Sequence, residues 1–479
     1  MKTRNNKIPR VVITMIFVVA LILSGCNAQS TDITNTDVIV VGSGAAGLSA
    51  AISAAESGVQ VTLLEKMPVV GGSSRLCDGV LFAAESHVQE EQGIEDSKEA
   101  LYTYWMEIAE DNAEEDLVKM VADKSADAVQ WLTDMGVVWG ELDVKAVDQT
   151  LRGHNPEGKG AKVIEIMLAK AEELGVEVVC DTPATELIVD ENGVVTGVEA
   201  ENADGETIEY LGKAVILATG GFTQNEELIK EYAPMAIDSV SWTNIGNTGD
   251  GLIMARDAGA EIIAKDGVIG ARAVASDILP MNNPIGITAF SPTLLVDPDG
   301  KRLANEVDYY ATIFNKMVET GHKEFYLIFD NKNYTETLDD AVDQGYAVKA
   351  DTLEELATIA KIEEEEFLKT VKNYNEMAVA GEDTQFNKPS QLMTSIEDAT
   401  FYAMKLKLLT LGSFGGPKIN LDAQVINGEG EVITGLFAAG EVANGQFYGT
   451  EYPGSGTAIT YDIVMGRIAG EVAANAINE

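Results

Sequence analysis

Basic residues are scarce in this chain of 479: 33 Lys and Arg stand against 77 Asp and Glu, a formal net charge of −44. Neutralising a phosphate backbone takes patches of Lys and Arg, so nucleic acid is excluded as a partner, as is docking of a basic face on anionic lipid. Three cysteines are too few for a disulfide scaffold. Of the three histidines, His87 and His322 have no neighbours at metal-ligand spacing, and no metal site is expected. Internal repeats and low-complexity tracts are missing too, and the apolar stretch Val11 to Leu23 is too short to cross a bilayer. What remains is 46% apolar, far above a disordered acidic chain, and too long for one core. A folded body of two domains is the first expectation.

At the N-terminus Lys2, Arg4, Lys7 and Arg10 precede that apolar stretch, which runs into Leu23-Ser24-Gly25-Cys26. Charge, short apolar run and small residues in this order make a secretory signal over residues 1–25. The last four residues resemble the bacterial lipobox, which implies cleavage before Cys26, a diacylglyceryl thioether on its sulfur and a place on the extracytoplasmic face of the cell membrane. Residues 26–36 are polar and unpatterned, as a tether would be.

The first patterned element is the β-branched run Asp37 to Val41, followed by Gly42-Ser43-Gly44-Ala45-Ala46-Gly47, an Ala-rich helical stretch, and a second buried strand, Val61 to Leu64, ending in Glu65. This is the dinucleotide fingerprint in its required context. Gly42 makes the tight turn, Gly44 lets backbone approach a pyrophosphate, Gly47 lets helix and strand pack, and Glu65, 23 residues after Gly42, is placed for a ribose hydroxyl. Lys66 follows directly, then a second glycine pair, Gly71-Gly72-Ser73-Ser74, with Gly79 beyond it. Far downstream a buried strand, Val215 to Ala218, ends in Thr219-Gly220-Gly221, and near the C-terminus stands Gly435-Leu436-Phe437-Ala438-Ala439-Gly440-Glu441 before a closing helix, Ala458 to Asn478.

These spacings resemble the flavoproteins of the fumarate reductase and succinate dehydrogenase family. The likeness takes in a helix over Asp116 to Gly136, Arg152-Gly153-His154-Asn155-Pro156, Asn247-Thr248-Gly249-Asp250-Gly251 and Gly300-Lys301-Arg302-Leu303-Ala304-Asn305-Glu306. It implies FAD as cofactor and an α/β fold: a Rossmann-like domain of the glutathione-reductase type with an inserted α+β cap. The FAD domain is then split over 36–267 and 411–479, with the cap at 268–410. The resemblance further implies that Glu65 holds the adenosine ribose, Ser73 and Ser74 lie by the isoalloxazine and Glu441 meets the ribityl chain. Lys66, Asp250, Ala458 and Ile459 join the expected cofactor shell. Turns at Glu191-Asn192-Gly193, Asp297-Pro298-Asp299-Gly300 and Asn427-Gly428 read as hairpins, and Thr352 to Ala380 as helical and very acidic, its Glu363 to Glu366 run a solvated helix surface in preference to a docking face for a basic partner.

The chain departs from the fumarate-reducing pattern where cations are needed. The proton-donating arginine after Asn305-Glu306 falls at Tyr310, the clamping histidine is replaced within Leu411-Gly412-Ser413-Phe414-Gly415-Gly416, and the last clamping arginine gives way to Glu451-Tyr452-Pro453-Gly454-Ser455-Gly456. The charged pair of the family's cap strand falls at Gly286 and Ala289. Burying two carboxylates without cations carries a large desolvation penalty, so a small dicarboxylate is a poor substrate. The replacements resemble the 3-ketosteroid dehydrogenase branch. That resemblance makes Tyr310 the proton carrier at carbon, and Tyr452 with the Gly456 N–H the clamp on a ketone oxygen. Flavin N5 would deliver hydride to the β-carbon of an activated alkene while neutral donors hold the enolate. Cys77 reads as a small buried side chain, Cys180 as core and His154 as structural; Arg272 and Arg302 are left as cations for a single carboxylate.

The expected activity is thus a lipid-anchored, FAD-dependent reductase of a C=C bond conjugated to a carbonyl: an enone such as a 3-ketosteroid, or an unsaturated acid. With one dinucleotide fingerprint and no Cys-x-x-Cys-His haem site, its electrons are expected from another flavoprotein, a cytochrome or a quinone system. The alternatives are the desaturating direction, a fumarate-, urocanate- or cinnamate-type acid reductase, and a flavin carrier without small-molecule chemistry.

Overall fold

A computed structural model describes residues 32–110, 112–147, 149–275 and 283–478. The signal segment, Cys26 and the first part of the tether lie outside the described residues. Among the described residues no helix is long and apolar enough to cross a membrane.

The fingerprint strand, Val38–Val41, is wholly buried at the centre of a six-stranded sheet. Burial on both faces explains why Val-Ile-Val-Val shows no alternation. It pairs in parallel with Ala214–Leu217 on one side and Val61–Leu64 on the other, Val41 lying opposite both Leu217 and Leu64. Glu177–Val179 extends the sheet at one edge, and the hairpin Gln424–Ile426 and Val432–Ala438 at the other. Because the three central strands end in register, Gly42, Glu65 and Thr219 emerge side by side at the carboxyl edge, where ligands of open α/β sheets bind. The fingerprint helix, Ala45–Glu56, starts there, and the closing helix, Thr457–Asn478, lies along it.

A four-stranded sheet flanks this body, its hairpin Ala184–Val189 and Val195–Glu201 turning at Asn192-Gly193. Its outer strand is Asp32–Asn35, parallel to Thr207–Leu211. These four residues, read from sequence as tether, therefore belong to the folded body; a lone edge strand so short shows no periodicity to read.

The cap hangs on two long antiparallel strands, Ile262–Val274 and Phe401–Pro417, which run unbroken through both expected domain boundaries. Phe325–Phe329, Leu294–Val296, Ala347–Ala350 and the short Val240–Ser241 complete its sheet. The cap refines one expectation and overturns another. The stretch 352–380 is two helices, Leu353–Ala360 and Glu364–Ala380, because Lys361 takes a left-handed conformation at φ +63°. Glu363 caps the second helix, accepting from the N–H groups of Glu365 and Glu366, so the glutamate run is a helix start, where acids oppose the positive dipole end. Around Gly286 the chain forms the helical turn Pro284–Thr288 rather than a strand, turning Gly286 and Ala289 into the interior.

The helix Tyr310–Glu319 is fastened to the cap through a buried ionic cluster just before it. Arg302 donates to Glu306 at 2.9 and 3.1 Å and to Asp383 at 3.0 and 2.8 Å, while the Lys388 ammonium donates to Glu306 at 2.9 Å and to the Tyr374 hydroxyl at 3.0 Å. None of the four charged side chains is more than 2% exposed.

Candidate functional site

A cavity of about 1640 Å³ runs from the carboxyl edge of the central sheet to the cap. Gly42, Gly44, Ala45, Ala46, Glu65, Lys66, Gly72, Ser73, Ser74, Gly79, Thr219, Gly220, Asp250, Glu441, Ala458 and Ile459 line it, together with Tyr310, Tyr452 and Gly456. Of the residues singled out from the sequence, Gly47, Gly71 and Gly221 stand behind the wall. A Cβ on Gly47 would meet the Gly42 carbonyl oxygen at 1.9 Å, so only glycine lets the fingerprint helix seat against its turn. A Cβ on Gly221 would collide with Glu441 Oε1 at 2.2 Å, so that glycine makes room for the carboxylate.

The sheet end of the cavity is polar. Glu65 is buried, its Oε1 accepting from Met67 N at 2.8 Å and its Oε2 from Ser43 N at 3.1 Å and from the Ser43 hydroxyl. Ser74 Oγ accepts from Ala45 N at 3.1 Å, at the start of the fingerprint helix, and Ser73 Oγ accepts from Asn244 N at 3.0 Å. Lys66 pairs with Asp250 at 2.6 Å and donates to Thr248 Oγ1 at 2.6 Å. Glu441 Oε1 accepts from Ser413 N at 2.8 Å and Oε2 from Asn247 Nδ2 at 3.1 Å. Burial raises the Glu441 carboxyl pKa against these bonds, and burial with the nearby Glu441 charge holds Asp462, also on the wall, well above the carboxylate range. A glycine-cradled helix start, a buried acid beyond the second strand and a groove between them fit a dinucleotide. FAD bound here would be held by the fingerprint backbone, Glu65, the Ser73-Ser74 turn and Glu441.

The cap end is apolar and phenolic. Tyr310, first residue of its helix, exchanges a hydrogen bond with Ser455 Oγ at 3.0 Å, and its ring packs 4.3 Å from that of Tyr309. Tyr452 accepts the Ala458 N–H on its hydroxyl at 3.0 Å, which leaves the phenolic hydrogen free to donate. Gly456, at φ +101°, is packed against Leu81, which excludes a Cβ. Burial raises the pKa of Tyr310 and holds that of Tyr452 well above 10, so both phenols stay protonated through neutrality. Ile287, Phe290, Trp242 and Leu411 supply apolar walls.

Among the described residues lining the cavity there is no arginine and no histidine. Arg302 is consumed by Glu306 and Asp383, and Arg272, 2% exposed, donates to the carbonyl oxygens of Glu306 and Ser291, so neither reaches the cavity. His154 is structural: Nδ1 donates to Arg152 O at 2.8 Å, Nε2 lies 2.6 Å from Ser86 Oγ, and burial lowers its pKa to about 4. Cys77 is not a buried filler but an exposed residue on the cavity wall, its Sγ 3.3 Å from Ser74 O. His322 does have an acidic neighbour, Asp299 at 3.6 Å, on an exposed turn where Asp299 already pairs with Lys301. Sequence reasoning passed over Asn247, Ser413, Ser455, Trp242, Asp462 and Lys407. The first three lie inside glycine-rich motifs, which is their one signal in the sequence, though not of a role.

Fold and cavity together define a flavin-type oxidoreductase whose cavity carries two phenols and, among the described lining residues, no arginine or histidine. The family model for the FAD binding domain matches residues 37–459. The cytochrome-type fumarate reductase of Shewanella frigidimarina is 32% identical over 443 residues, 91% of this chain and 77% of that protein. The urocanate reductase of Eggerthella lenta is 33% identical over 461 residues, 92% and 75% of the two chains. The 3-ketosteroid-Δ4-(5α)-dehydrogenase of Rhodococcus jostii, solved with 4-androstene-3,17-dione, superposes with a TM-score of 0.78 at 26% identity, covering 94% of this chain and 99% of that one. The chain belongs to the fumarate reductase and succinate dehydrogenase family of FAD flavoproteins, and it is an FAD-dependent oxidoreductase acting on CH–CH groups.

Proposed function

We propose that this protein reduces a C=C bond conjugated to a ketone, an enone in the manner of a 3-ketosteroid, with Tyr310 as proton donor. The observation that carries the reading is the pairing of two protonated phenols with a cavity whose described lining holds no arginine or histidine. Bound and reduced, FAD supplies the hydride equivalent that the β-carbon of such an alkene takes up. Negative charge then gathers on the carbonyl oxygen, where the Tyr452 hydroxyl and the Gly456 N–H donate. Tyr310 gives its proton to the α-carbon, and the Ser455 hydroxyl is placed to return one from solvent. The likeness to a ketosteroid dehydrogenase keeps the desaturating direction as the second reading, since the same groups serve both ways.

Holoenzyme reduced with viologen is expected to be reoxidised rapidly by a 3-keto-4-ene steroid or a simpler enone, and slowly by fumarate. Failure of every α,β-unsaturated ketone to reoxidise it sinks the reading. Tyr452→Phe keeps the ring packing and loses one oxyanion donor, and is expected to lower kcat by roughly 100-fold with little change in bound FAD. An unchanged kcat would remove Tyr452 from the clamp.

The sequence Leu23 to Cys26 supports a lipid on the Cys26 sulfur and attachment outside the cytoplasmic membrane, with electrons from a membrane flavoprotein, cytochrome or quinone system. Mass spectrometry of the N-terminal peptide from the native host tests the anchor.

A further inference from the structure

Four lysines line the cavity, and three have counter-ions: Lys66 with Asp250 at 2.6 Å, Lys145 with Asp143 at 2.9 Å and Lys159 with Asp78 at 2.7 Å. Lys407 has none among the described residues. It sits on the long cap strand Phe401–Pro417 opposite Ala273, half-buried, with Leu409 two residues on. Leu409 belongs to a small apolar cluster with Val240, Ala271 and Ala273, against which Trp242 and Tyr310 pack. An apolar floor thus leads from the proton donor to a single unpaired ammonium. Two other wall acids, Asp238 and Glu226, are occupied by Lys323 at 2.7 Å and Lys230 at 2.8 Å. Two residues of strand, roughly 7 Å at full extension, separate Lys407 from Leu409 in the cluster that Tyr310 packs against.

We infer that Lys407 is a specificity residue, pairing with an anionic group that an apolar conjugated ketone carries across the apolar floor from its reacting end. This rests on the enone reading and names its substrate class: a molecule with a neutral reacting end, clamped by phenols, and one negative charge. A half-buried ammonium that no carboxylate of the described residues pairs is open to a ligand carboxylate.

The test is a matched pair: a 3-keto-4-ene steroid bearing a carboxylate on its D ring, and the methyl ester of that acid. Each is titrated against oxidised holoenzyme and followed by the flavin absorbance, so binding is read without turnover. The acid is expected to bind about 30-fold more tightly than the ester, with the gap closing in Lys407→Met and persisting in Lys407→Arg. Equal affinities, no binding of either compound, or a preference that survives in Lys407→Met overturns the assignment. Turnover by reduced enzyme is a separate arm. If neither compound is reduced while the Lys407-dependent preference holds, the reductase reading falls and the anion site stands.

Discussion

Tyr310→Phe is expected to slow alkene reduction by about 1000-fold, within the span usual for a positioned general acid, while FAD content and ligand affinity stay near those of the parent enzyme. The ring stays, so its packing on Tyr309 and the apolar floor is kept; what goes is the one hydroxyl that both lines the cavity and bonds Ser455. Stopped-flow reoxidation of the reduced enzyme by an enone reads the step directly. Tyr309→Phe is the contrast. The Tyr309 hydroxyl is buried off the cavity wall, so a small change in rate is expected there. The pH profile carries a sign as well. Burial raises the Tyr310 pKa above 10, so the donating form is present below that value and the rate is expected to stay flat through neutrality, falling only in strong alkali. A rate that falls through neutral pH would point to another acid. A protein that only carried electrons between partners would lose nothing in Tyr310→Phe, which separates carrier from reductase in one variant.

The parts of the molecule legible in the sequence are those where local chemistry is over-determined. The strand Val38–Val41, the turn at Gly42 and the acid at Glu65 each have a steric or electrostatic reason to be that residue, and the structure brings them to one edge. The cap was less legible because its organisation is tertiary. Nothing local marks Ile262–Val274 and Phe401–Pro417 as strands that cross from one domain into the other, and one lysine in a left-handed conformation divides an otherwise continuous helical pattern at Lys361. The same holds within the site. Tyr310 was found because it displaces an arginine from a motif. Lys407 sits in Leu-Lys-Leu-Leu and reads as an alternating strand residue; only the absence of a counter-ion across the cavity sets it apart, and that is invisible before folding.

The motif that exposed Tyr310 also contains Glu306, and the structure gives that acid a different kind of work. Arg302 and Lys388 both donate to it, Asp383 takes the other side of Arg302, and all of this is sealed from water four residues before the Tyr310 helix begins. Removing one member of such a cluster leaves buried charge uncompensated, so Arg302→Met is expected to destabilise the holoenzyme by about 3–5 kcal/mol, read by denaturant unfolding. Acid sensitivity should move with it. Burial alone would raise the Asp383 pKa, but the Arg302 guanidinium and the N–H groups of Lys388, Gln385 and Phe386 bring it down to about 2. A depressed carboxyl contributes stability that is present above its unfolded pKa, about 3.9, and is lost as pH falls toward the folded value. Without Arg302 the folded pKa rises, so that contribution shrinks and the acid unfolding midpoint shifts upward. A loss below about 1 kcal/mol, the range of a surface pair, would mean the cluster does not hold the start of the catalytic helix, and that Asn-Glu-x-x-x-Tyr positions its tyrosine by another route.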